Sequence, residues 1–178
     1  VNISLRMEYI QKLFLEVEGV VEKLSEPEEI LAYLDNEEPL FRSVGYESAS
    51  FVIGVKDLCQ RQSLDRWKNF RRLCGSEHTF HSDIGLGWAF AKTGIQPLAF
   101  SNELSPAIQW MVYDGIGYYY GLFKGRNTIR QRLVPPEIST EVQGGFDEGL
   151  GRRLWYMAKG NVEQLLPLVQ SFDENRQT

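Results

Sequence analysis

Asp114-Gly115-Ile116-Gly117-Tyr118, residues 114–118, is where the fold class turns. An acid followed by paired glycines can mark a phosphate loop, but that fingerprint needs a strand immediately before its glycines. Here the preceding residues have a helix pattern. Ser105-Pro106 is a good helix start, and the apolar spacing carries that helix to about Phe123. The glycines therefore lie inside a helix.

Two related elements flank this one, at Asp83-Ile84-Gly85-Leu86-Gly87 and at Asp147-Glu148-Gly149-Leu150-Gly151. Glycine inside a helix costs about 1 kcal/mol relative to alanine, so its repeated use points to a close approach of some kind. One reading is helix–helix contact at backbone distance. The other is an open face for a flat apolar ligand. The recurrence of the element fits stacked helical hairpins.

The rest of the chain reads the same way. Helices are predicted over 4–24, from Pro27 to about Leu34, over 45–60, from Asp65 to Cys74, over 77–92, over 139–158, and from Asn161 through Phe172 with Pro167 inside it. Ser25-Glu26-Pro27-Glu28 resembles a capping box. Asn127 to Leu133 is a basic helix or turn, and 95–101 or 133–143 leaves room for a short hairpin. The prediction is an all-α protein of about eight helices, packed as successive antiparallel helical hairpins in a repeat-like single domain over 1–178.

Composition narrows the function. The chain has 178 residues, 43% apolar and 24% charged, which is ordinary for a globular domain able to bury a core. A net charge of -5 argues against a nucleic-acid surface, which needs a basic field. No apolar run reaches the ~20 residues of a membrane span, and no signal peptide is visible. A cytoplasmic protein is expected. Cys59 and Cys74 are too few for a disulfide framework and read as reduced, partly buried thiols. Val1 rather than Met opens the chain, which points to a processed fragment.

Candidate chemistry gathers around the acids and histidines. His78 and His81 are the only histidines. With Asp83 they resemble a two-histidine, one-carboxylate set, but that spacing suits one continuous helix poorly, and no metal and no cofactor are assigned. His78, His81, Asp114 and Asp147 are the candidate acid–base groups. Buried carboxylates at 83, 114 and 147 would need partners, with Arg152, Arg153, the histidines or the Tyr118–Tyr120 hydroxyls in reach. Trp88, Gly117, Tyr118, Gly121 and Trp155 are the candidate ligand-binding residues.

Several stretches together resemble a known family: Gly45-Tyr46-Glu47-Ser48-Ala49-Ser50; His78-Thr79-Phe80 with Gly85-Leu86-Gly87-Trp88-Ala89; Asp114-Gly115-Ile116-Gly117-Tyr118 with Gly121-Leu122-Phe123; and Phe146-Asp147-Glu148-Gly149-Leu150-Gly151-Arg152-Arg153-Leu154-Trp155-Tyr156. They are similar to the bacterial family of enediyne biosynthesis proteins typified by UnbL, over about residues 9–176. A histidine often stands there where this chain has Asp83, and members tend to be longer, which implies a fragment. The family has no assigned activity, so no catalytic residue is carried over. The resemblance implies an accessory protein of polyketide biosynthesis, binding an apolar polyene-like intermediate or a biosynthetic partner protein. Two other readings stay open: a pathway enzyme using the His/Asp groups, and a helical-repeat interaction scaffold.

Overall fold

The computed structural model describes residues 3–24, 26–39, 41–123 and 138–170. Among them the chain forms eight α-helices and no strand. In chain order these are α1 (Ile3–Val21), α2 (Pro27–Asp35), α3 (Arg42–Lys56), α4 (Asp65–Leu73), α5 (Thr79–Thr93), α6 (Pro106–Phe123), α7 (Thr140–Met157) and α8 (Val162–Val169). The all-α expectation holds. No helix is long and apolar enough to cross a membrane among the described residues.

The long helices α1, α3, α5, α6 and α7 lie side by side as one layer, each against the next. Their pairings advance together, so neighbours run in the same direction. Between α1 and α3, Phe14 meets Phe51 and Lys56 donates to the Glu22 carbonyl. Between α3 and α5, Glu47 meets His81 and Gly54 abuts Ala89. Between α5 and α6, Ile84 faces Gly115 and Trp88 faces Tyr118. Between α6 and α7, Trp110 faces Gly145, Asp114 faces Gly149, and Gly121 faces Arg153. The tightest packing is thus between long helices that run parallel, so the successive antiparallel hairpins expected from the sequence do not form this layer.

Glycine makes this possible. A Cβ on Gly85 would fall on the Glu47 carbonyl, one on Gly87 on the Val112 carbonyl, one on Gly117 on the Phe146 carbonyl, and one on Gly149 on the Asp114 carbonyl. These are backbone atoms that cannot step aside. The motif therefore serves helix–helix contact at these four positions. Gly151 differs, because nothing lies within 4 Å of a Cβ there.

The short helices cover one side of the layer, where α2 and α4 pack on each other and on α3. Ile30, Leu34, Leu64, Trp67, Phe70 and Phe90 are buried there, each contributing about 1.5–3 kcal/mol. Trp67 Nε1 donates to Ser50 Oγ at 2.8 Å, and Ser50 Oγ donates to the Ser82 carbonyl at 2.5 Å, tying α4 to α3 and α5.

Several boundaries differ from expectation for local reasons. The helix predicted over 45–60 begins at Arg42 and gives way after Lys56 to a π-turn, Asp57–Arg61, closed by Gln62 at φ 51°. The buried Asp57 carboxylate accepts the Trp67 backbone N–H at 2.9 Å, so α4 is capped from outside its own sequence, while Ser63 Oγ accepts from Asp65 N. Glu26 occupies the N-cap of α2 with no side-chain bond, and Ser25 lies outside the described residues. Residues 97–100 form a 3₁₀ turn in place of a hairpin. Asn127 to Leu133 and residues 171–178 also lie outside the described residues. Asn161 Oδ1 accepts from Glu163 N at 3.0 Å and caps α8 as expected, with Pro167 inside that helix.

Candidate functional site

The other side of the layer carries the chemistry. Along each long helix, residues four apart share a face, and this face receives Phe14 and Glu18 from α1, Glu47 and Phe51 from α3, Trp88 and Lys92 from α5, and Asp114 and Tyr118 from α6. Because neighbouring helices run in the same direction, these pairs line up, with an aromatic zone beside a charged one.

The aromatic zone walls a cleft of about 500 Å³. Ile10, Phe14 and Leu15 form one side, Phe51 and Trp88 the base, and Tyr118 and Arg153 the far side. Trp88 is its centre. Phe14 stacks on it at 5.1 Å between ring centroids, Tyr118 lies almost parallel to it at 5.2 Å and 5°, and Phe51 presents its edge at 6.5 Å. The guanidinium groups of Arg152 and Arg153 sit 5.4 and 5.8 Å from the Tyr118 centroid, in cation–π range. Burial raises the Tyr118 hydroxyl above its ordinary range, with Arg153 opposing. At the other rim Glu18 is raised by burial and by Glu22, against the pull of Lys92.

The charged zone holds two ion pairs across helix boundaries. His81 Nδ1 lies 2.9 Å from Glu47 Oε1, and Arg152 donates to the buried Asp114 carboxylate. Burial pushes the Asp114 carboxyl up to about 6; Arg152 opposes this, and Glu148 and Glu47 add to it. The Glu47 charge is thus felt at both pairs. Trp110 Nε1 donates to Glu148 at 3.4 Å on the outer edge.

The candidate residues are distributed accordingly. His81 and Asp114 reach the charged zone together. His78 stacks on Tyr46 at 4.2 Å and 16°, where burial lowers its pKa. Asp147 is half-buried on α7. Asp83 faces away: both its oxygens accept from Arg71, at 2.6 and 3.0 Å, and it does not join the histidines. Among the described residues no three His, Cys, Asp or Glu side chains form a metal-ligand group. Trp88 and Tyr118 line the cleft. Gly117 and Gly121 lie in the α6–α7 contact, and Trp155 is exposed on α7 outside the lining.

Sequence reading missed Phe14, Phe51, Glu18 and Lys92, which belong to the cleft. The available signal was the spacing: each sits four residues from another face residue on its own helix. Phe14 was hidden because the buried stripe of α1 runs through Leu13, Val17 and Val21 beside it.

No curated protein and no solved structure matches the chain. A family model described as protein of unknown function (DUF1702) matches residues 2–178, and the chain belongs to that family.

Proposed function

We propose that this protein binds an apolar, flat or elongated small molecule in the cleft around Trp88. The observation that carries the reading is the stack of Phe14, Trp88 and Tyr118 lining a space of about 500 Å³, a size common among ligand pockets. Aromatic faces favour a conjugated ligand, which gains offset stacking beyond area burial. The likeness of the glycine motifs to enediyne biosynthesis proteins supports an unsaturated polyketide as the natural ligand class, and an accessory rather than catalytic role.

The test is saturable binding of diphenylhexatriene, a linear conjugated hydrocarbon, followed by its fluorescence and by quenching of tryptophan emission. Leu15→Glu places a charge at the exposed rim of the cleft, and Leu98→Glu places one at an equally exposed position outside it. The first should weaken binding about tenfold or more and the second should leave it unchanged. Absence of saturable binding, or equal loss in both variants, would refute the proposal.

A further inference from the structure

The cleft contains more than apolar surface. Trp88 is 9% exposed, and its Nε1 is buried with no hydrogen-bond partner. Arg153, on the far side of the same cleft, has a buried Nε that is also without an acceptor, and so does Arg152, whose guanidinium lies over Tyr118. Native structures rarely leave buried donors unmatched, because each lost its water on folding. Here three such N–H groups belong to side chains that all touch or stack near one ring, Tyr118.

Most of the charged groups around that ring have partners. Arg152 has Asp114 as its partner, and Lys92 at the opposite rim has Glu18 nearby. Arg153 lies beside the Tyr118 ring and, among the described residues, pairs with no carboxylate. A guanidinium at the wall of an apolar cleft, with no carboxylate paired to it, is matched by an oxyanion.

We infer that the ligand is an apolar carboxylic acid, bound with its chain or ring system along Phe14 and Trp88 and its carboxylate at Arg153. This rests on the binding function proposed above and adds the ligand's polar end. A pure hydrocarbon fills the cleft but leaves the Arg153 guanidinium without an anion.

Three conjugated probes separate the two ideas: a tetraene fatty acid (parinaric acid), its methyl ester and diphenylhexatriene. The acid should bind the wild-type protein about tenfold more tightly than the ester, the loss expected when a charge-assisted pair is replaced by a neutral contact. Arg153→Met keeps most of the apolar stem and should abolish the acid–ester difference. Equal binding of acid and ester by the wild type would overturn the carboxylate assignment and leave the apolar site standing. Failure of all three probes would remove the site itself. The wild-type comparison needs no variant, so it holds even if a substitution unfolds the chain.

Discussion

Gly149 and Gly151 are two residues apart on α7, and alanine at each should change stability in opposite directions. At Gly149 a new Cβ would fall on the Asp114 carbonyl, lie 2.6 Å from that carbonyl carbon and 2.9 Å from Tyr118 N. All three obstacles are backbone of α6, so relief requires α6 and α7 to part. A gap of roughly 1 Å forfeits a quarter to a half of each dispersion contact across it, and here it loosens Phe146 and Leu150, both buried in this contact. Overpacking of this kind costs about 1–3 kcal/mol, and the upper end applies where neither neighbour can rotate away. Alanine returns about 1 kcal/mol of helix propensity. Gly149→Ala should therefore destabilise by about 2 kcal/mol. Gly151→Ala meets no atom within 4 Å and keeps only the propensity term, so it should stabilise by about 0.5–1 kcal/mol. For a chain of this length the melting midpoints should move by about -4 to -8 °C and about +1 to +4 °C. Urea denaturation followed by far-UV circular dichroism measures both. If Gly149→Ala is as stable as Gly151→Ala, the backbone-contact account of the layer is wrong.

Two further outcomes follow from burial. The folded Asp114 carboxyl, near 6, holds its proton more tightly than the unfolded one with an ordinary value of 3.8. This group's contribution to stability therefore falls as pH rises from about 4 to about 6 and levels off above. Asp114→Asn should lack that slope, so wild type should lose stability relative to the variant across the window; parallel urea midpoints at pH about 4.5 and about 7 would contradict it. Cys59 is exposed, whereas Cys74 is buried and its thiol is pushed to about 12, chiefly by burial. One thiol per chain should react promptly with Ellman's reagent and the second only after unfolding; two prompt thiols would show that Cys74 is not sealed in the core.

What sequence could reveal followed the range of the interactions. Helices bounded by local chemistry were legible: Asn161 caps α8 through its own side chain, and Gly94 closes α5 at φ 73°. The all-α class followed from the apolar spacing. Long-range partners were less so. Asp83 was expected to seek a partner in a later helix or among the nearby histidines, and it found Arg71 on α4, because α4 packs beside α5 while the histidines turn towards Glu47 and Tyr46. Asp114 found Arg152, one of the partners foreseen, since α6 and α7 advance in step. The cleft was half legible. Trp88 and Tyr118 stood out as aromatics beside glycine pairs. Phe14 and Phe51 did not, since only the alignment of α1 and α3 with α5 brings them to the same place.

The glycine contacts also decide which parts of the molecule can yield. Where backbone touches backbone, no flexible side chain cushions the joint, and sliding one helix past the next drives carbonyls into Cα atoms. From α3 through α7 the layer therefore behaves as a stiff plate. Helix α1 is attached differently: it meets α3 through side chains such as Phe14 and Val17, and a Cβ on its own Gly19 would meet nothing within 4 Å. The base and far side of the cleft belong to the plate and the near side is α1. Any widening that admits a bulky guest is concentrated in that one helix, which acts as the hinged jaw of an otherwise fixed vice.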